Sequence, residues 1–162
     1  MKIDDISVFV FDFDGVLTNN MVYIDQNGKE SVACNRGDGL AFDVLRKLKK
    51  PCYILSTEKN LVVSARARKL KISAIQGIKD KSIAIQKIAQ KESCSLKDIL
   101  YIGNDLNDFN VMKICGYTVC PEDSHEKIKQ ISDIVLKRKG GLGIVRELLE
   151  EVFCLDFIEI LY

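Results

Sequence analysis

The sequence predicts an α/β fold, a doubly wound parallel sheet of the Rossmann-like kind, on three observations. Short apolar runs without alternation recur along the chain, as in strands that are buried on both faces of a sheet. Amphipathic segments with apolar residues at helical spacing separate these runs. Polar and acidic residues directly follow several runs, where a parallel sheet carries its ligand sites. Such an alternation favours parallel strands with right-handed crossovers and helices on both faces.

The segments that predict the individual strands and helices are as follows. The runs that predict strands are Ile6–Phe11, Cys52–Leu55, Ser73–Ile75, Ile99–Ile102, Tyr117–Cys120 and Ile134–Leu136. The segments that predict helices are Leu40–Leu48, Leu61–Leu70, Ile83–Ala89, Val111–Ile114 and Ile144–Val152. Ser95 and Asp98 have the spacing of a capping box or of a short turn before a strand. His125 follows a serine at a predicted helix start, where we expect a surface or capping role.

One segment, residues 20–35, departs from the alternation. Two short strand-like runs here flank the pair Asn27-Gly28. An Asn-Gly pair in this position is a strong signal for a tight hairpin turn. The sequence therefore predicts a β-hairpin that projects from the sheet. No repeat, low-complexity tract or linker is visible elsewhere, so we expect a single domain over residues 1–162.

Composition and charge narrow the classes of function. The chain has 162 residues, of which 47% are apolar and 29% charged, as in soluble globular domains. A net charge of +1 gives no electrostatic reason to expect nucleic acid or an anionic membrane as a partner. The apolar runs are too short to span a bilayer, and the first residues lack a signal-peptide core. We therefore expect a cytoplasmic protein with a small-molecule partner.

The six cysteines and single histidine do not have the spacing of a zinc site. No Cys-x-x-Cys pair occurs, and several cysteines lie inside predicted strands or helices. A free cysteine in such a position behaves as a small apolar residue. We expect reduced, structural cysteines.

The most informative motif is the pair Asp12 and Asp14, which ends the first apolar run. Residues two apart on a strand point to the same side, so the two carboxyl groups are presented together. Gly15 follows and allows a sharp turn. Two carboxylates this close repel each other unless a cation lies between them or one keeps its proton. A divalent cation such as Mg²⁺ suits the first case, and a nucleophile paired with a general acid suits the second.

The pattern Asp-Phe-Asp-Gly-Val-Leu-Thr over residues 12–18 resembles the first signature of the haloacid dehalogenase superfamily of phosphohydrolases. Three further signatures of the family have counterparts in the right order. Ser56 ends a strand-like run, Lys81 opens a helical segment, and an acidic cluster follows the run that ends at Ile102. Four signals in order over about a hundred residues are far more specific than any one of them.

The resemblance implies phosphate monoester hydrolysis through an aspartyl-phosphate. Asp12 would be the nucleophile, and Asp14 would protonate the leaving oxygen and then activate water. Ser56 would donate a hydrogen bond to a phosphoryl oxygen. Lys81 would neutralise charge on the nucleophile and the phosphate, with Asp108 orienting it.

Magnesium is the cofactor that the resemblance implies. Its ligands would come from Asp12, the main-chain carbonyl of Asp14 and the acidic loop. Most relatives have Gly-Asp where this chain has Gly103-Asn104. The ligand from the loop is therefore either the amide oxygen of Asn104 or the carboxylate of Asp105.

Many members of the superfamily carry a cap domain after the first or the second signature. Neither gap in this chain is long enough for one, so the chain resembles the capless subclass. The 3-deoxy-octulosonate 8-phosphate phosphatase family exemplifies this subclass, and the resemblance implies a homotetramer whose subunits complete one another's sites. The hairpin would replace the cap. The segment Lys137–Gly143 would close over a neighbour's site. The apolar tail Phe153–Tyr162 is expected to lie in an interface, since its exposure on a monomer would be unfavourable.

The same resemblance implies a phosphorylated keto-sugar acid as substrate. Asn35, Asp38 and Gly39 match the family's substrate segment and would line the mouth of the site. Glu58, with Lys69 eleven residues on, resembles the branch that serves nonulosonate 9-phosphates rather than octulosonate 8-phosphate, and we favour that branch. Glu58 would accept hydrogen bonds from sugar hydroxyls, and Arg66 and Lys69 would offer donors to a carboxylate.

An alternative class of function remains open from the sequence. Homologous domains occur fused to CMP-sugar-acid synthetases, where some act as tetramerisation modules with weak or no activity. This chain lacks the nucleotide-transfer domain and keeps Asp12, Asp14 and Lys81. Catalysis is therefore the favoured prediction.

Overall fold

The computed structural model describes all 162 residues and contains eight strands and seven helices. The strands are β1 (Val8–Phe11), β2 (Thr18–Ile24), β3 (Glu30–Cys34), β4 (Cys52–Leu55), β5 (Ser73–Ile75), β6 (Ile99–Ile102), β7 (Tyr117–Cys120) and β8 (Ile134–Val135). The helices are α1 (Gly37–Lys47), α2 (Val62–Leu70), α3 (Lys81–Lys91), α4 (Phe109–Met112), α5 (Glu126–Ile131), α6 (Ile144–Glu147) and α7 (Phe157–Leu161). A π-helical turn, Leu148–Val152, continues α6.

Six strands form one parallel sheet in the order β5-β4-β1-β6-β7-β8. The predicted doubly wound α/β fold is thus confirmed, and there is no cap domain. Four predicted strands have the observed bounds. The first begins at Val8 rather than at Ile6, because Ile3–Asp5 forms a 3₁₀ turn that Ile6 closes through its N–H. None of the helices has the length and apolar composition that crossing a bilayer requires.

Apolar side chains fill both sides of this sheet. Alternate residues of β1 point to opposite faces. Phe9 and Phe11 belong to a cluster of 23 buried residues that includes residues of α1 and α6, whereas Val8 and Val10 belong to one of 14 that includes residues of α3. All four side chains are fully buried, and each such burial contributes about 1.5–3 kcal/mol. β1 is therefore held firmly from both sides, which fixes the position of the residues that follow it.

The predicted hairpin is confirmed as the antiparallel pair β2 and β3. Asp25 Oδ1 accepts hydrogen bonds from the N–H groups of Asn27 and Lys29, and Gly28 adopts a φ of +76°, which glycine tolerates best. Four consecutive apolar side chains, Met21–Ile24, are 51–67% exposed. The hairpin thus presents an apolar surface that its own chain does not cover.

The Lys137–Gly143 segment lies against the turn that follows β1 in its own chain. Gly141 N–H donates to the main-chain oxygen of Val16 at 2.9 Å. A Cβ on Gly140 would lie 2.0 Å from the main-chain oxygen of Gly15, so only glycine fits there. The buried carboxylate of Glu147 accepts from the N–H groups of Lys137 and Arg138 and holds the start of the segment. Closure over a neighbour's site stays a prediction.

The tail Phe153–Tyr162 is divided between packing on its own chain and exposure. Five of its apolar residues pack on the core of their own chain, with Phe157 only 7% exposed: Phe153, Leu155, Phe157, Ile160 and Leu161. Ile158 and Tyr162 are 74% and 97% exposed. Much of the tail is thus covered within its own chain, because α7 packs on α1, and a role of the exposed residues in an interface stays a prediction.

Two local predictions are confirmed. Ser95 and Asp98 form a capping box around a 3₁₀ turn that leads directly into β6. His125 caps α5, where its Nδ1 accepts a hydrogen bond from the N–H of Lys127.

Candidate active site

The site lies beyond the carboxyl ends of β1, β4 and β6, the central strands of the sheet. A cleft of about 390 Å³ opens there, and its walls include Asp12, Asp14, Ser56 and Asn104. Parallel strands bring residues that are far apart in sequence to one edge, because all their carboxyl ends point the same way. The predicted catalytic residues Asp12, Asp14 and Ser56 therefore meet in one cleft.

Lys81 joins this group through Asp12. Its Nζ atom lies 2.7 Å from Asp12 Oδ1 and 2.6 Å from Asp108 Oδ1, and its side chain is 2% exposed. Asp80 caps the start of α3 by accepting from the N–H groups of Ser82 and Ile83, which fixes Lys81 in the first turn. A buried ammonium between two carboxylates gives strong charge-assisted hydrogen bonds.

Asp108 holds several parts of the site together. Its Oδ1 accepts from Lys81 and from the hydroxyl group of Tyr101 at 2.7 Å. Its Oδ2 accepts from the N–H groups of Asn104 at 2.9 Å and Asp105 at 3.4 Å. A Cβ on Gly103 would lie 2.7 Å from this carboxyl group, so glycine permits the close approach. The predicted contact of Asp108 with Lys81 is present.

Burial and charge shift the pKa values here in a consistent way. Burial, with the Asp108 charge, raises the pKa of Asp12 to about 7, and Lys81 opposes this only in part. Burial alone would lower the pKa of Lys81, but the charges of Asp12 and Asp108 outweigh it and raise that pKa. The lysine therefore stays protonated, but its positive charge does not offset the effect of burial and of Asp108 on Asp12.

Asp14 is half-buried beside Asp12. Burial raises the pKa of its carboxyl group, and the nearby charge of Glu58 adds to the effect. A raised pKa suits a group that must hold a proton before it is given to a leaving oxygen. Ser56, 1% exposed, accepts a hydrogen bond from the N–H of Glu58 and thereby orients its hydroxyl group.

The donor set fits a hard divalent cation. One terminal atom of the Asn104 amide lies 2.9 Å from the main-chain oxygen of Asp14 and 3.3 Å from Asp12 Oδ2. If this atom is the amide nitrogen, it donates hydrogen bonds to both oxygens. If it is the amide oxygen, the oxygens of Asn104, Asp14 and Asp12 converge on one point. Adjacent oxygens around Mg²⁺, each bound at about 2.0–2.1 Å, lie about 2.9 Å apart. No three His, Cys, Asp or Glu side chains cluster for a metal, so the set needs the amide and the carbonyl.

Asp105, the alternative ligand, has a different local role. Its Oδ1 accepts from the N–H of Leu106, and with Asp108 it caps a 3₁₀ turn, Leu106–Asp108. The side chain is exposed at the cleft wall. The contacts with Asp12 and Asp14 thus come from Asn104.

Asp38 does not line the mouth of this cleft, and that prediction was wrong. Its side chain is 1% exposed, and Oδ1 accepts from the N–H groups of Val145 and Arg146 at the start of α6. Because α6 begins after Gly143, which has no side chain, Asp38 takes the place of the missing cap. Asn35 is also used locally, since its Oδ1 accepts from the N–H of Gly37.

Arg66, Lys69 and Gly39 lie together but apart from the Asp12 cleft. They line a separate depression of about 310 Å³ whose other charged residues are mainly cations. Arg66 donates to the main-chain oxygen of Asn35 at 2.7 Å. Arg66 and Lys69 are thus not among the residues that line the Asp12 cleft of their own chain, and their contact with the substrate stays a prediction.

Sequence reasoning missed Tyr101 and Asn20. Tyr101 lies within an all-apolar strand, and only its hydroxyl group distinguishes it from its neighbours. Asn20 lines the cleft from the start of the hairpin with a φ of 61°, a left-handed conformation that asparagine tolerates better than most residues. The Asn19-Asn20 pair after the first signature was the signal that could have identified this turn.

Comparison with known proteins agrees with this geometry. The family model of haloacid dehalogenase-like hydrolases matches residues 46–148. The 3-deoxy-D-manno-octulosonate 8-phosphate phosphatase of Escherichia coli K12 is 31% identical over 147 residues, which cover 90% of this chain and 78% of the relative. The relatives described here lend no support to a tetramerisation module.

Solved structures are similar over almost the whole chain. A protein of Streptomyces avermitilis MA-4680, provisionally assigned to the HAD hydrolases, has a TM-score of 0.90 at 39% identity, with 93% of this chain and 86% of that chain covered. The 3-deoxy-D-manno-octulosonate 8-phosphate phosphatase of Moraxella catarrhalis, solved with magnesium, phosphate and KDO, has a TM-score of 0.89 at 29% identity, with 94% and 88% covered. This chain therefore belongs to the haloacid dehalogenase-like hydrolases and is a phosphatase of phosphate monoesters.

Proposed function

We propose that this chain is a magnesium-dependent phosphatase of a phosphorylated keto-sugar acid. The observation that carries the proposal is the contact of the Asn104 amide with both the Asp14 carbonyl and Asp12 Oδ2, next to the Asp12–Lys81 ion pair. Asp12, Asn104 and the main-chain oxygen of Asp14 would hold the metal. When bound, Mg²⁺ would supply the positive charge that draws the anionic nucleophile and phosphate together.

The residues then divide the reaction into two halves. Asp12 attacks phosphorus and forms an aspartyl-phosphate, while Asp14 gives its proton to the departing alkoxide. Lys81 and Ser56 stabilise the phosphoryl oxygens as charge develops on them. Asp14 then removes a proton from water, which hydrolyses the aspartyl-phosphate and releases Asp12. Positioning and charge neutralisation account for most of such catalysis.

The substrate class is supported by the relatives and by the mouth of the cleft. The curated relatives act on an octulosonate 8-phosphate, as their names state. Glu58 follows Ser56 closely and its charge raises the pKa of Asp14, which supports a position near the leaving group. A carboxylate there accepts hydrogen bonds from sugar hydroxyls, which fits a polyhydroxylated leaving group better than an apolar one. We propose a nonulosonate 9-phosphate first and octulosonate 8-phosphate second.

The direct test is phosphate release from a panel of sugar phosphates, with and without magnesium. We expect the highest kcat/KM for a nonulosonate or octulosonate phosphate and little turnover without metal. Asp12→Asn serves as the control for contaminating phosphatases, and we expect its activity to fall by more than about a hundredfold because the nucleophile is lost. Equal rates for unrelated phosphate esters would refute the substrate class, and activity of Asp12→Asn would refute covalent catalysis.

The choice between the two sugar acids can be tested at Glu58. We expect Glu58→Arg to shift the ratio of kcat/KM towards octulosonate 8-phosphate, since an acceptor becomes a bidentate donor and a mispaired buried group costs about 1–3 kcal/mol. Glu58 Oε1 also accepts from the N–H groups of Lys59 and Asn60. Glu58→Gln keeps that acceptor and is the matched control for the loop. An unchanged ratio in both variants would show that Glu58 does not read the sugar.

A further inference from the structure

Tyr101 is a buried polar group to which none of the four sequence signatures assigns a role. It lies on β6, its side chain is fully buried, and its neighbours on the strand are isoleucine and leucine. Its hydroxyl group donates to Asp108 Oδ1 at 2.7 Å. Burial, followed by the charge of Asp108, raises the pKa of Tyr101 well above its usual value, so the hydroxyl group keeps its proton and remains a donor.

The oxygen that Tyr101 contacts is the same one that binds Lys81. Asp108 Oδ1 accepts hydrogen bonds from Lys81 and Tyr101, whereas Oδ2 accepts only from the main-chain N–H groups of Asn104 and Asp105. The two oxygens of one carboxylate thus serve different neighbours. A change at Tyr101 acts first on Oδ1 and therefore on Lys81.

Lys81 is shared almost equally between two carboxylates. Its Nζ atom lies 2.6 Å from Asp108 and 2.7 Å from Asp12. In a buried site, a hydrogen bond from a hydroxyl group satisfies part of the negative charge on the oxygen that accepts it. The hydrogen bond from Tyr101 therefore weakens the attraction between Asp108 and the Lys81 ammonium group, which strengthens the interaction of that group with Asp12.

We propose that Tyr101 is a positioning residue that keeps Lys81 on the nucleophile Asp12 by donating to the competing oxygen of Asp108. This inference rests on the proposed function, because it assigns Lys81 a part in phosphoryl transfer. Without the hydroxyl group, Lys81 would be drawn towards Asp108 and away from Asp12. Charge that develops on the phosphoryl group in the transition state would then be poorly neutralised, while binding of the leaving group would not change.

The chain offers a matched control in Tyr53. This tyrosine lies on β4, is 4% exposed and packs in the same apolar cluster as Tyr101. Its hydroxyl group also donates to a carboxylate, that of Glu92, just beyond the end of α3 and outside the cleft. Tyr53→Phe therefore removes the same chemical group from the same apolar cluster, from a part-buried rather than a fully buried hydrogen bond, and leaves the contacts of Lys81 intact.

The experiment compares Tyr101→Phe, Tyr53→Phe and the wild-type chain with p-nitrophenyl phosphate and a sugar phosphate. We expect Tyr101→Phe to lower kcat about tenfold with KM within about twofold, since one lost hydrogen bond to a charged group corresponds to about one power of ten in rate. Half-saturating magnesium should stay constant, because Oδ2 keeps its partners. Tyr53→Phe should retain the wild-type kcat, and melting curves should show that both variants are folded at the assay temperature.

The possible outcomes separate this inference from the proposed function. An inactive wild-type chain would overturn both. An active wild type with equal kcat in the two variants would overturn the role of Tyr101 alone, as would a loss in Tyr101→Phe that appears in KM or in half-saturating magnesium. A fall in kcat confined to Tyr101→Phe, with both variants folded at the assay temperature, supports the assignment.

Discussion

At the scale of single residues, the site contains more buried negative charge than buried positive charge. Two buried carboxylates, Asp12 and Asp108, share one ammonium group, that of Lys81. Asp108 has further donors on both oxygens and is well compensated. Asp12 is not, and its pKa rises to about 7 through burial and the Asp108 charge. A cation beside Asp12, on the side of the Asn104 amide and the Asp14 carbonyl, would restore the balance.

The identity of residue 104 should set the affinity for that cation. We expect Asn104→Asp to lower half-saturating magnesium about tenfold, since a charged ligand replaces a neutral one. Without metal, the new carboxylate would face the Asp14 carbonyl and Asp12 Oδ2, so the melting temperature should fall and then rise more steeply with magnesium. Magnesium titrations of activity and of thermal unfolding measure both effects. Asp105→Asn is the control, and a shift in that variant instead would make Asp105 the ligand.

Asp38 should make stability depend on pH. Burial raises its pKa from 3.8 to about 6, although the N–H groups of Arg146 and Val145 oppose the rise. The native state therefore binds more protons than the unfolded state between these values. The stabilisation is complete below about pH 4 and is lost as the pH rises through about 6, by roughly 3 kcal/mol.

Asp38→Asn tests this linkage. The amide keeps an oxygen for Val145 and Arg146 but does not titrate. We expect the free energy of unfolding of the variant, relative to the wild type, to increase between pH 4 and pH 7. Urea denaturation at several pH values gives this difference. A difference that stays constant across this range would show that the Asp38 pKa is not raised.

At the scale of elements, the buried strands are the part that the sequence predicted best. β4, β5, β6 and β7 have the predicted bounds because short apolar runs end at polar turns. Helices α1, α3 and α4 begin two or three residues before the predicted starts, and for α3 the reason is that Asp80 was not recognised as its N-cap. The role of Asp38 could not be predicted, because its partners lie more than a hundred residues away and are main-chain groups without a sequence signal.

The segment Lys137–Gly143 is the element whose contact with the site can be tested most sharply. A Cβ on Gly140 would lie 2.0 Å from the Gly15 main-chain oxygen, which cannot move aside as a side chain can. We expect Gly140→Ala to cost about 2 kcal/mol in the free energy of unfolding. Because Gly15 follows Asp14 directly, kcat should fall as well.

Gly39→Ala is the control for stability. A Cβ there meets nothing within 4 Å, and the residue lies in the first turn of α1. Thermal unfolding of the two variants should differ clearly, with Gly39→Ala at or slightly above the wild type. Equal melting temperatures of the two variants would mean that Gly140 is not in close contact with the turn after β1.

At the scale of the whole molecule, the hairpin is the feature that its own chain leaves incomplete. A two-stranded sheet is only marginally stable in water, and this one carries four exposed apolar side chains, Met21–Ile24. Since alternate residues of a strand point to opposite faces, these side chains make both faces of the hairpin apolar, and an uncovered apolar patch of this kind marks an interface. We propose that this patch is buried between copies in a homotetramer. We also expect a neighbouring copy to bring its Arg66 and Lys69 to the substrate, since neither residue lines the Asp12 cleft of its own chain.

The assembly should therefore be broken by a charge on the hairpin. Because Ile24 is 67% exposed, Ile24→Lys should change the stability of an isolated chain by less than about 0.5 kcal/mol, whereas a lysine in a desolvated contact should dissociate the tetramer. Light scattering coupled to size exclusion measures the mass of each species. Ile83→Lys, at a residue 55% exposed on α3, is the control and should remain tetrameric. If subunits complete one another's sites, kcat/KM for the sugar phosphate should fall with the mass in Ile24→Lys alone. A wild-type chain that is a fully active monomer would refute both the interface and the shared site.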